Sequence, residues 1–531
     1  MTTREESRVA ADQSSTHATG VSRATGAARA ERLVVGVVVL VGVVLRFATT
    51  SHLWLDEALS VDIARLPLGQ IPEALRHDGH PPLYYFLLHG WMQIFGEGDV
   101  AVRALSGVFG VALLPLAWVA GRRLGGRLVA YTTVVVLGLS PYALRYSTET
   151  RMYSLVMVLV LAGWLLVDGG LRGGAERPRP VVLVGIAIVS GMLLLTHYWA
   201  LWLVLATVGL LVMRAVRRRE SRRTSLALAV AVAAGFVLLV PWVPSLLDQT
   251  AHTGTPWATP ARPTLIVYET LTDFGGGDYA EGYLLGIGLL VLAAVGLLGR
   301  SVDDHRIELD VRTVGPARPL ALAVAATLAV ACAAEYATGT TFASRYAAVV
   351  FPLFIAVAGV GLARFDGRTA RCVVAAGLLA LGLAGAYDNV TSDRTQAGDI
   401  AAAIRAEAGV DDMVVICPDQ LGPAIHRLLP AELAQATYPR FESPDRVDWV
   451  DYEPRNRAAD PAAFAAEVVR RTSPDATIWL VASGAYRTLE GQCEAVGDVL
   501  GRARGGVSIV VVENADDFFE HASLLRFAPA P

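Results

Sequence analysis

The chain is predicted to be an α-helical polytopic membrane protein carrying a C-terminal extracytoplasmic α/β domain. Three observations predict it. Of 531 residues, 54% are hydrophobic and only 18% charged, against about 25% charged in soluble domains. Apolar runs of span length recur up to residue 388. Beyond residue 389 charged residues return, and short apolar runs alternate with helical patterns. A mean hydropathy of +0.47 excludes an ordinary water-soluble enzyme and a disordered chain. A net charge of −4 gives no reason to expect a nucleic-acid partner. All 45 basic residues are arginine, so lysine chemistry is excluded and arginine is the fixed cation.

Residues 1–31 are rich in Ser, Thr, Ala and Arg without hydrophobic period, and read as a flexible cytoplasmic tail. The first apolar run starts at Leu33 and lacks a small-residue cleavage site, so it reads as an anchor. Eleven spans are predicted, near 33–50, 100–120, 127–143, 152–169, 180–196, 198–213, 225–245, 281–299, 319–337, 346–363 and 372–388. Arginines cluster at 4–32, 122–127, 172–179, 214–223, 300–318 and 364–371. The positive-inside rule puts these clusters in the cytoplasm only if residues 81–95 do not span. That segment, short and carrying Pro81, Pro82, His89 and Gln93, is predicted to lie on the outer surface as an amphipathic helix. The N-terminus is then cytoplasmic, 51–99 a large first external loop, 246–280 a second, and 391–531 external.

In that last stretch DMVVICP (412–418), TIWLVAS (477–483) and VSIVVVEN (507–514) read as buried strands. Residues 395–408, 460–472 and 486–503 read as helices, which predicts a largely parallel sheet. No Gly-rich nucleotide fingerprint is present. The four cysteines have no zinc-like spacing; Cys417 and Cys493 could form a disulfide, structural in role, whereas Cys332 and Cys372 read as packing residues.

Polar groups gather at the outer face. LWLDEALSVDIAR puts Asp56 and Glu57 just after the first span. A carboxylate there can take a proton from a hydroxyl nucleophile or steady an oxocarbenium ion; equally, Asp56 can cap the following helix. His77, Asp78 and His80 could ligate a divalent cation, with His197 as a more distant ligand or a phosphate donor; the alternatives are a polar loop and an interfacial histidine. Arginine suits phosphate, and the few external ones are Arg65, Arg76, Arg103, Arg145, Arg151, Arg262 and Arg345; snorkelling at span ends is the alternative. Arg145, Glu149, Arg151 and Tyr153 occur together in PYALRYSTETRMYS, and Arg345 with Tyr346 opens a late span. Trp257, Tyr268, Glu269, Asp273, Asp278 and Tyr279 in the second loop suit a sugar or an interfacial belt.

Three pieces taken together, LDEA after the first span, HPPLYYFLLHGW before the second and YSTETRMYSL, resemble the C-type (GT-C) membrane glycosyltransferases. The branch resembled holds the protein O-mannosyltransferases and the lipid A aminoarabinose transferases, and the resemblance covers residues 32–390. It implies a GT-C-like catalytic domain there, a polyprenyl-phosphate sugar as donor, and inverting transfer at the outer face to an envelope glycan, lipid or protein. It implies Asp56 as general base, with Glu57 and Glu149 as further acidic site residues. Arg145, Arg151, Tyr153, His80, Tyr84, Arg345 and Tyr346 are the candidate substrate contacts. Gly79 and His80 replace an acidic residue that some relatives carry before the double proline and use with a metal. Mannose is the first expectation for the sugar. The rival readings are a transporter or lipid flippase, expected to show inverted repeats and polar mid-membrane residues, and a non-catalytic envelope assembly protein.

Overall fold

The computed structural model describes residues 29, 31–173, 178–255, 262–277, 279–312, 315–338, 341–484 and 486–530. Most of the expected tail, together with Trp257 and Asp278, lies outside the described residues.

Each of the eleven apolar segments is helical. Residues 31–45 form the first helix. Among the described residues, seven helices are long and apolar enough to cross a membrane, and Pro180–Thr196 and Phe351–Leu362 are shorter apolar helices. The longest helix, Asp99–Gly138, contains two of the expected spans. Its helical angles break at Gly125 and Gly126, where Gly126 takes φ 80°. Only a residue without Cβ reverses the chain there cheaply. The membrane helices approach closely where side chains are small: a Cβ on Gly361 would sit 1.8 Å from the Leu292 carbonyl oxygen. Such contact replaces the hydrophobic driving force that lipid does not supply.

Leu83–Phe95 is a 13-residue helix, roughly 20 Å long and too short for a core about 30 Å thick. It buries Tyr84, Tyr85, Leu88 and Met92 and exposes Leu87, Ile94 and Phe95, the two-faced pattern of a surface helix.

Among the described residues the strands are β1 (Gly299–Asp303), β2 (Arg306–Leu309), β3 (Met413–Cys417), β4 (Ala434–Thr437), β5 (Ile478–Ala482), β6 (Val507–Val511) and β7 (Ser523–Phe527). β1 and β2 form a hairpin; the others form one sheet in the order β4-β3-β5-β7-β6. β3 runs parallel to β4 and β5, while β7 is antiparallel to β5 and β6. The expected parallel character therefore holds for one half of the sheet. β4 (AQAT) is too short and polar to show an apolar run, which is why the sequence pattern passes over it. Alternation divides the strands between two cores: Val415, Ile478 and Leu480 face one, Val414, Ile416 and Trp479 the other. Cys417, at the end of β3, is disulfide-bonded to Cys493 on the helix Gln492–Ala503.

The α/β domain is stitched to the segment 51–99. Trp54 and Leu55 belong to one of its cores. His77 Nδ1 lies 2.9 Å from Asp448 Oδ1, and Arg427 pairs with Asp62 and Asp99 at 3.8 and 3.4 Å.

Candidate active site

Asp56 and Glu57 are consecutive in the helix Leu55–Arg65. Neighbours in a helix point about 100° apart, so the two carboxylates face different surroundings. Glu57 is fully buried. It accepts from Arg103 Nε and Nη2, at 2.8 and 2.6 Å, and from the Thr150 backbone N–H at 2.9 Å. Arg394 stands 3.6 Å away. Burial raises the Glu57 carboxyl, but Arg103, Arg394 and Thr150 outweigh it and hold it below the usual carboxylate range. Arg394 also donates to the carbonyl and hydroxyl of Thr148 at 2.9 and 2.7 Å. Glu57 is thus the knot that ties the LDEA turn to the STETR turn and to the start of the α/β domain. Placing it as a catalytic residue is a reading the geometry does not favour.

Asp56 lines a cavity of about 430 Å³ between the membrane region and the α/β domain. Two guanidinium groups flank its Oδ2, Arg151 at 3.8 Å and Arg345 at 3.7 Å. Both distances exceed hydrogen-bond length, and Oδ2 is buried without a hydrogen-bond partner. The helix carrying Asp56 has Trp54 at its N-cap, which offers no side-chain cap. Asp56 itself is the second helical residue, so the capping reading of it does not hold. The cap comes from the other domain: Glu520 Oε1 accepts the Leu55 N–H at 3.1 Å, and its Oε2 accepts from the Thr395 hydroxyl at 2.5 Å. Burial above all, with Asp56 and Glu57 nearby, pushes the Glu520 carboxyl up to about 8.

A second chain of contacts sets Arg151. Its Nη2 donates to His80 Nε2 at 2.9 Å, and its Nη1 to Ser60 Oγ at 3.1 Å. Since Nε2 accepts, His80 Nδ1 carries the hydrogen and donates to Asp78 Oδ2 at 2.8 Å. The Tyr85 hydroxyl donates to the same oxygen at 2.9 Å. Gly79, with φ 86°, ends the helix Ile71–Asp78 and lets Asp78 and His80 converge.

The structure brings Asp56, Asp78, His80, Arg151, Arg345 and Tyr346 to one cavity. Arg145, Glu149, Tyr84 and Tyr153 do not line it. Glu149 is buried 3.9 Å from Arg145 and held above the usual carboxylate range by burial. Tyr84 bonds Ser106 at 3.1 Å. Tyr153 stacks towards His197, which in turn packs against Tyr346 with ring centroids 5.1 Å apart. The expected cation set of Asp78, His80 and His197 does not assemble. Both His80 nitrogens are engaged, His197 Nδ1 accepts the Trp199 N–H at 3.1 Å, and no metal-holding group of three His, Cys, Asp or Glu occurs among the described residues. Gln420, Tyr486, Arg487, Glu520 and His521 line the cavity from the α/β domain. Sequence reasoning missed them, because the cavity residues they face, Asp56, Asp78 and His80, lie more than 300 residues earlier in the chain.

Comparison with known proteins agrees with this architecture. A family model described as "Dolichyl-phosphate-mannose-protein mannosyltransferase" matches residues 79–244. The apo crystal structure of ArnT from Cupriavidus metallidurans is similar at a TM-score of 0.62 and 16% identity, covering 94% of this chain and 98% of that one. The chain has the GT-C glycosyltransferase fold. The same ArnT bound to undecaprenyl phosphate is similar at a TM-score of 0.56 and 15% identity, with the same coverage. A comparison with curated proteins gives no match. The family match contains His80, Tyr85 and Arg151; Asp56, Ser60, Asp78 and Arg345 fall outside it. This GT-C chain is a multi-pass membrane protein, similar over residues 79–244 to a family of mannosyltransferases.

Proposed function

We propose that the protein transfers a sugar, mannose in the first instance, from a polyprenyl phosphate to an acceptor on the extracytoplasmic side of the cell membrane, inverting the anomeric centre. The observation that carries this reading is Asp56, a carboxylate whose Oδ2 accepts no hydrogen bond and stands between the guanidinium groups of Arg151 and Arg345 in one cavity. Asp56 takes the proton of the acceptor hydroxyl. The acceptor oxygen bonds to the anomeric carbon, the carbon–oxygen bond to the phosphate breaks, and polyprenyl phosphate leaves with the electron pair. Arg151 and Arg345 hold that phosphate and stabilise its growing charge. Asp78, through His80, keeps the Arg151 fork aimed. A polyprenyl tail partitions into the bilayer, so its phosphate must react at the interface, where this cavity lies. No step is assigned to a metal, since the residues present do not suit one.

Three parts follow from this reading: a cytoplasmic tail over 1–31, a catalytic membrane region over 32–390, and an external α/β domain over 391–531. The test is purified protein in nanodiscs with a panel of polyprenyl-phosphate sugars and a mixed envelope extract. Consumption of one donor, with sugar appearing on the extract, supports it; a panel left intact contradicts it.

A further inference from the structure

The α/β domain has no task in the mechanism beyond capping the helix of Asp56, yet its most recognisable binding position opens on the same cavity. In the order β4-β3-β5-β7-β6, the chain leaves β3 towards β4 on one side and leaves β5 towards β7 and β6 on the other. Connections that diverge from adjacent parallel strands open a crevice beyond their carboxyl ends, the usual ligand position of an open α/β sheet. Gln420 follows β3 and Tyr486 and Arg487 follow β5, and all three line the cavity facing Asp56. Trp449, Phe519 and His521 complete this wall. Phe519 is 63% exposed and meets Trp54 edge to face at 5.1 Å.

Resting on the glycosyltransferase reading, we infer that this switch-point crevice is the acceptor subsite, and that the acceptor is a carbohydrate. The chemistry of the wall selects the class. Aromatic faces offer an apolar platform for the C–H face of a pyranose or furanose ring. Beside them stand the Gln420 amide, whose Nε2 donates to Tyr452, the His521 imidazole, whose Nδ1 is on Glu513, and the Arg487 guanidinium, polar groups of the kinds that bond a ring of hydroxyls. The crevice faces Asp56 across the cavity, as a hydroxyl must to be deprotonated there. A peptide acceptor would find its natural partner at an open strand edge; β4 and β6 are the edge strands, whereas this crevice lies at the ends of the central β3 and β5.

The experiment uses full-length protein in nanodiscs with mannobiose, galactobiose and arabinobiose, and a Ser/Thr-rich peptide as competitor class. One disaccharide is expected to quench tryptophan fluorescence saturably, with the change lost in Trp449→Phe. With a consumable donor, that disaccharide is expected to become glycosylated, and Gln420→Ala and Trp449→Ala to raise its KM at least tenfold more than they lower kcat. Transfer to the peptide and to no saccharide overturns the inference while leaving the transferase reading intact. So does saccharide transfer whose KM neither variant changes, and so does the absence of any quenching. Failure to consume any donor overturns the transferase reading instead, and saturable quenching through Trp449 would still support a carbohydrate pocket.

Discussion

Asp56 and Glu57 are indistinguishable as letters and opposite in use. The acidic pair was legible in the sequence because both side chains follow a span and precede a helix. Which of them meets the cavity depends on helical rotation and on Arg103, 46 residues away. The two therefore predict different failures. Glu57→Gln leaves Arg103 and Arg394 buried with a weakened partner, and breaking a buried pair costs about 3–5 kcal/mol; the expected outcome is poorly folded protein by size-exclusion chromatography. The folded carboxyl is depressed, so its contribution is present above the unfolded value and is lost as pH falls through the folded one. Arg345→Ala, by contrast, should fold normally and lower kcat/KM for the lipid donor roughly 100-fold. Arg345→Lys should recover little of it, because an ammonium lacks the planar fork. Recovery to the native rate in steady-state kinetics would remove Arg345 from the phosphate site.

The helix Leu55–Arg65 was legible from its pattern, and its cap was not. Glu520 reaches Leu55 across 465 residues of sequence, and no local signal encodes such a bond. Glu520 acts as a positioning residue for Asp56. Glu520→Ala is expected to lower kcat about tenfold or more through misplacement of the base, with donor KM nearly unchanged. Its carboxyl is raised to about 8, so its contribution to stability is full below the unfolded value and is lost as pH rises through 8. The melting temperature of the native protein should then fall between pH 5 and 9 more than that of Glu520→Gln; equal slopes would contradict the assignment. The disulfide, suggested by two cysteines of the C-terminal domain, closes a 76-residue separation. Cys417→Ser with Cys493→Ser should cost the α/β domain about 4 kcal/mol on the chain-entropy account, read as a lower melting transition by circular dichroism.

At the scale of the whole molecule, hydropathy made the membrane helices legible and arginine asymmetry proposed their orientation. On that proposal alkaline phosphatase fused after Pro531 is active and fused after Arg218 is inactive; the reverse pattern would invert the topology. The junction between membrane region and α/β domain was not legible, because its partners Asp62–Arg427, His77–Asp448 and Leu55–Glu520 are each separated by more than 360 residues. That junction makes the cavity, and the cavity concentrates the account on one carboxylate. Its most direct test is donor consumption and product formation by Asp56→Asn beside native protein, in nanodiscs with the polyprenyl-phosphate sugar that the native protein consumes. General-base catalysis contributes roughly 10²–10⁴-fold. The account predicts a folded variant, matched to native protein in its melting transition, whose transfer falls by at least 100-fold while donor still binds. Transfer at the native rate by that folded variant would contradict it.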